Sequence, residues 1–68
     1  MTEPHIELNV FLKKHNLANT GGQAKLLIQS GVVSVNGEKE LRNRRKLHLN
    51  DVVSHNGKKY TVTKELVR

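Results

Sequence analysis

The sequence predicts an α+β domain, with two N-terminal helices packed on a small, mostly antiparallel sheet. Three observations carry that expectation. Apolar residues recur at helical spacing as far as Ser30, they alternate from Val33 onward, and two Asn-Gly pairs punctuate the alternating half.

The first helix is expected over Ile6 to His15, where Leu8, Phe11 and Leu12 fall on one face while Asn9, Lys13 and Lys14 fall elsewhere. Asn16-Leu17-Ala18-Asn19 breaks the period. Thr20, followed three residues later by Gln23, reads as a capping box opening a second helix. Ala24, Leu27 and Ile28 form its apolar stripe, which turns Lys25 and Gln29 outward. Gly31 stands where a left-handed residue ends such a helix. Val33 and Val35 then alternate with Ser34, and Asn36-Gly37 is a type I′ hairpin signal. The same signal recurs at Asn56-Gly57, between Val52-Val53-Ser54-His55 and Lys58-Lys59-Tyr60-Thr61-Val62, where Tyr60 and Val62 share a face. Between Gly37 and Leu47 the sequence reads as an irregular basic stretch.

At 68 residues the chain has room for one domain, residues 1–68, with a thin core. Cysteine is absent, which excludes disulfides and cysteine-based zinc sites. The longest apolar runs, such as Leu26-Leu27-Ile28, are far short of a membrane span. Met1-Thr2-Glu3-Pro4 has no basic segment leading into an apolar one, so no signal peptide is read, and a cytoplasmic location without membrane contact is the expectation. Twelve Lys and Arg against six Asp and Glu give a net charge of +6. Such a field attracts polyanions.

Catalytic chemistry finds no support. The six carboxylates form no recognisable pair on one element, and neither a phosphate-binding Gly-rich loop nor a Gly-x-Ser-x-Gly elbow occurs. Asp51 reads as a turn residue. His5, His15, His48 and His55 lack metal-ligand spacing, so neither a metal nor any other cofactor is expected.

The stretch Thr20-Gly21-Gly22-Gln23-Ala24-Lys25-Leu26-Leu27-Ile28-Gln29-Ser30-Gly31-Val32-Val33-Ser34-Val35-Asn36-Gly37 resembles the S4 RNA-binding domain. The helix carrying Leu8, Phe11 and Leu12 fits that family's first helix, and Leu49-Asn50-Asp51-Val52-Val53 resembles its closing Gly-Asp-x-Val turn. The similarity is strongest over residues 6–55 and is nearest to short bacterial proteins with little beyond this domain. It implies an S4-like fold of the αL RNA-binding type, in which both helices and the following loop contact structured RNA. Ribosomal or ribosome-associated RNA is the leading candidate, and the implied role is binding without catalysis. Two departures matter. Gly21-Gly22 stands where many members carry Ser-Arg, so no arginine contact carries over there. Asn50 replaces the usual Gly, and Asn tolerates the left-handed backbone that such a turn needs.

The residues here fit that implication. Lys13 and Lys14 close the first helix, and Lys25 faces outward from the second. Gly22 and Gln23 lie at a helix start whose free N–H groups suit a phosphate. Lys39, Arg42, Arg44, Arg45 and Lys46 place five cations within eight residues, with Glu38 and Glu40 interspersed. The expected RNA-binding surface is therefore Lys13, Lys14, Gly22, Gln23, Lys25, Arg42, Arg44, Arg45 and Lys46, provided that Glu38 and Glu40 do not neutralise it. Phe11 and Tyr60 are the only aromatics besides histidine; Phe11 is expected in the core and Tyr60 packed on the sheet, so base stacking on exposed rings is not available. Contact through phosphates, 2′-hydroxyls and RNA shape is the mode this composition permits. An adaptor role toward an acidic protein partner is the alternative. DNA binding is a third reading, weakened by the lack of a reading helix with base-contacting side chains beyond Gln23.

Overall fold

The computed structural model describes residues 4–67. Met1, Thr2 and Glu3, on which the signal-peptide reading partly rests, lie outside the described residues, as does Arg68. The elements are β1 (Ile6–Glu7), α1 (Leu8–Lys14), α2 (Gly21–Gln29), β2 (Val33–Val35), β3 (Glu38–Lys39), β4 (Lys46–Leu47), β5 (Val52–His55) and β6 (Lys58–Thr61). They form the expected α+β arrangement of two helices on antiparallel sheets. A four-stranded sheet runs in the order β3-β2-β5-β6, and β1 pairs with β4 in a separate two-stranded ladder.

The first helix begins later than its apolar spacing suggests. Ile6 and Glu7 are extended and pair with Leu47 and Lys46. Leu8 is the first helical residue because the connection between β3 and β4 caps it. The Leu8 and Asn9 N–H groups donate to the Arg45 and Asn43 carbonyls at 2.8 and 3.1 Å. The N-cap residue, Glu7, makes no side-chain cap. Backbone from a distant segment therefore satisfies two of the donors that every helix start leaves open.

The second helix follows its local signals closely. The Gln23 N–H donates to Thr20 Oγ1 at 3.1 Å. The reciprocal arm reaches one residue further back than in a capping box, with the Asn19 N–H donating to Gln23 Oε1 at 2.8 Å. Gly31 ends the helix at φ +84°, and a Cβ there would lie 3.4 Å from Cδ of Lys39, whose stem crosses above it. Both hairpin turns have positive φ at both central residues, as type I′ requires, and Asn50 adopts φ 74° in the closing turn. Asp51 completes that turn by accepting from the His48 N–H at 2.8 Å.

The stretch from Gly37 to Leu47 is less irregular than expected, since β3 and β4 lie at its ends and only residues 40–45 remain without regular structure. One core joins the layers: Leu8, Phe11, Leu12, Ala24 and Ile28 from the helices meet Val33, Val35, Leu47, Val53 and Val62. Tyr60 packs against it, and the His15 ring sits between Phe11 and Tyr60 with centroids 4.4 and 5.1 Å away. Among the described residues no helix is long and apolar enough to cross a membrane.

The glycines at the two ends of α2 should respond oppositely to alanine. Gly31→Ala forces a side chain into the left-handed region against the Lys39 stem and should cost about 1–2 kcal/mol. Gly21→Ala meets nothing within 4 Å and should be neutral or stabilise by up to about 1 kcal/mol. Urea unfolding of the two variants checks both signs.

Candidate nucleic-acid interface

The centre of the basic stretch is an acid. Glu40 follows β3, its N–H donates to the Val33 carbonyl at 3.0 Å, and only 6% of the residue is exposed. Its carboxylate has four donors. Oε2 accepts from the Arg42 N–H and from Arg42 Nε, both at 3.0 Å. Oε1 accepts from Arg42 Nη2 at 3.0 Å and Arg45 Nη1 at 2.7 Å. Four donors match the capacity of an ionised carboxylate, so the burial leaves no unmet demand. The Arg42 side chain is the largest cause holding the Glu40 carboxyl well below its usual 4.5; burial opposes it, and Arg45 and the Arg42 N–H reinforce it.

Arg44 is tied to the other sheet. Its Nε donates to both Glu7 carboxylate oxygens at 3.3 and 3.2 Å, and Nη2 lies 3.2 Å from Oε2. Each arginine of the loop thus has a carboxylate partner. Glu40 neutralises part of the cluster, as the sequence allowed, whereas Glu38 is exposed on β3 and Glu7 is the unforeseen third acid. Pairing does not hide the cations equally. The side chains of Arg42 and Arg44 remain 72% and 77% exposed, whereas that of Arg45 is 27% exposed. Arg45 braces the loop, and Arg42 and Arg44 display held guanidinium forks. Together with Lys46 they line an open depression of about 430 Å³.

The other candidate residues lie around this depression at different removes. Lys14 lines a second hollow of about 280 Å³ with His5, Ile6, Glu7, Val10 and Leu66, so Glu7 links it to the Arg44 side. Lys13 is exposed beside it at the far end of α1. Gly22, Gln23 and Lys25 are exposed on α2, which follows the end of α1 away from the one that the arginine loop caps. The N–H groups of Gly21 and Gly22 have no acceptor among the described residues. Gln23 spends its carbonyl on the cap. The exposed side of α2 is chemically mixed, since Leu17, Gln23, Leu26, Leu27 and Ser30 line a groove of about 360 Å³, with Leu26 69% exposed.

Sequence reasoning allowed for neutralisation by Glu40 but missed its burial, the part played by Glu7 and the capping role of the loop. Glu40 reads as one charge in an alternating run, and only its burial distinguishes it. Glu7 and Arg44 are 37 residues apart, and no local pattern joins them.

Comparison with known proteins gives a consistent assignment. The chain matches the family described as S4 domain over residues 1–63. It is 41% identical over 54 residues to the Escherichia coli (strain K12) protein named "Putative RNA-binding protein YbcJ", a span of 79% of this chain and 77% of the relative. The same identity and coverage relate it to the YbcJ protein of Shigella flexneri. No solved structure matches.

Ionisation of Glu40 has a definite consequence for pH. Its carboxyl lies below the unfolded value near 4.5, so its contribution to stability is complete above that value and is lost as pH falls toward the folded one. Glu40→Gln should cost about 1–3 kcal/mol at neutral pH, the range for a buried hydrogen bond to a charged group. Urea titrations between about pH 5 and 3 should show wild type losing more stability than the variant, so that the two converge. Parallel curves would remove the ion pairs from the account.

Proposed function

Because the chain belongs to the S4 domain family, we propose that it binds structured RNA through phosphate and shape, without catalysing a reaction. The observation that carries this reading is the depression lined by Arg42, Arg44, Arg45 and Lys46, where two forks are presented to solvent by buried or half-buried carboxylates. A guanidinium fixed in this way matches phosphate geometry, and less rotamer freedom is lost on contact than for a loose side chain. The description of the Escherichia coli relative as RNA-binding supports the same reading. Ribosomal or ribosome-associated RNA, met in the cytoplasm, is the ligand that the family resemblance implies.

Lys46, Arg42 and Arg44 provide the central contacts, Arg45 holds the loop in shape, and Lys14 and Lys13 extend the surface along α1. Gly22, Gln23 and Lys25 form its outer limit on α2. The glycine pair supports phosphate approach there. Neither Gly21 nor Gly22 has a positive φ, and a Cβ at either would meet little, nothing within 4 Å for Gly21 and only Thr20 Oγ1 at 3.8 Å for Gly22. The fold itself does not require glycine at these positions, whereas a phosphate seated on the exposed N–H groups benefits from the bare backbone.

Three measurements test the reading. If about four to six phosphates are neutralised, log affinity for an RNA duplex should fall with log salt at a slope of about −3 to −5. Arg42 and Arg45 hold Glu40, so their removal would confuse binding with stability. Arg44→Ala with Lys46→Ala avoids that and should weaken binding about fivefold or more, flattening the slope by about 2. Unchanged affinity in fluorescence polarization would remove the loop from the interface. Gly22→Ala should weaken binding while leaving the protein at least as stable, a combination that a purely structural role for the glycine does not produce.

A further inference from the structure

The four-stranded sheet has a second face that the helices leave open. Val33, Val35, Val53 and Tyr60 point toward the helices, so alternation places their neighbours on the opposite side. The strand register puts four of those neighbours in one row: Lys39 opposite Ser34, Ser34 opposite Ser54, and Ser54 opposite Lys59. Thr61 and Val52 form the adjoining row. The surface therefore has a lysine at each edge, hydroxyls between them, and no carboxylate in either row. Glu38, the acid on β3, pairs with Val35 and alternates to the other side. Lys39 and Lys59 are exposed, and their Cα atoms are separated by three interstrand steps, about 14 Å.

This chemistry suits a phosphate backbone. Lysines act as point charges toward phosphates, and serine hydroxyls donate to phosphate oxygens. It does not suit base reading, because Tyr60 faces inward and no ring stands on the outer side for a base to stack on. The arginine loop continues directly from Lys39 and turns into the helical layer, where it caps α1. The molecule measures 32 × 23 × 19 Å, so backbones lying on the two faces would be only about one domain thickness apart.

We propose that the outer sheet face, along the row Lys39–Ser34–Ser54–Lys59, is a second RNA-backbone contact, so that one copy of the domain holds two RNA segments at once. The proposal relies on the RNA-binding reading above for the first segment. The second contact is tolerant of sequence and sensitive to salt, since it consists of charges and hydroxyls alone.

The test is a bridging assay. One RNA duplex of about 16 base pairs, the span of a double-stranded RNA-binding domain, is immobilised, and a fluorescent duplex of different sequence is supplied with the protein. Wild type should retain the fluorescent duplex. Lys39→Gln with Lys59→Gln, which keeps the stem over Gly31, should bind the immobilised duplex within about twofold of wild type and retain at least about fivefold less of the second. Lys58→Gln removes one lysine charge from the helix-facing side, at the position next to Lys59, and should behave as wild type.

Equal retention by the double variant would overturn the proposal, because capture would then run through paired copies or another surface. So would an equal loss in Lys58→Gln, which would reduce the effect to net charge. Self-association of the double variant in sedimentation with retention unchanged would overturn it as well, leaving the lysines as guards of the sheet edges. Displacement of the second duplex by polyglutamate at equal charge would reassign the face to acidic protein surfaces. Binding of the first duplex without capture overturns this proposal alone, whereas failure to bind the first duplex overturns the RNA-binding reading with it.

Discussion

A buried carboxylate organises the most basic segment of this molecule. Between β3 and β4 the chain must carry Arg42, Arg44 and Arg45 past the start of α1, and like charges so close together favour an extended, solvated loop. Glu40 reverses that tendency. Its two oxygens take three donors from Arg42 and one from Arg45, which turns residues 40–45 back on themselves. The folded loop then offers the Asn43 and Arg45 carbonyls to α1, a helix without a side-chain cap of its own. It also delivers Lys46 and Leu47 to their pairing with Glu7 and Ile6. Loop, helix start and the β1–β4 ladder consequently depend on one another. Weakening the carboxylate should loosen all three together, even though its hydrogen-bond donors all lie in the loop.

The same pairing shapes the surface. A free cluster of arginines would bring more charge to a polyanion, but each long side chain would have to be ordered on contact, at a cost of about 1.5–2 kcal/mol apiece. Ion pairing meets that ordering cost during folding. Arg42 and Arg44 direct some of their five donors to Glu40 and Glu7 and keep the rest toward solvent. The field is weaker than a charge count implies, and the geometry is better defined. Such an exchange favours recognition of a rigid phosphate arrangement over loose attraction to any polyanion.

What could be read from the sequence was local. Thr20, Gln23 and Gly31 mark the ends of α2 because caps act within four residues, and the Asn-Gly pairs mark hairpins because their backbone geometry depends on two positions. Ile6 and Glu7 misled because the apolar spacing from Leu8 onward extends smoothly back to Ile6, while the strand that claims them lies 39 to 41 residues away. The candidate surface was legible as a composition: the cations at Arg42, Arg44, Arg45 and Lys46 do gather around one depression. Their different roles were not legible. Nothing in the local pattern separates Arg45, enclosed beside Glu40, from Arg44, displayed on Glu7, because that difference is set by burial and by partners distant in sequence.

The two ends of α2 make opposite demands on their glycines. At Gly31 the backbone itself demands glycine, since φ is positive and the Lys39 stem lies close by. At Gly21 and Gly22 there is no such demand: the conformation is ordinary, the space is open, and each glycine weakens the first turn of a nine-residue helix that most other residues would strengthen. Thr20 and Gln23 then have to hold that turn by capping alone. A stability cost that packing and backbone geometry do not explain fits a site shaped for something outside the chain. What the glycines leave uncovered is a set of N–H donors at the positive end of a helix, on a protein whose net charge already attracts anions.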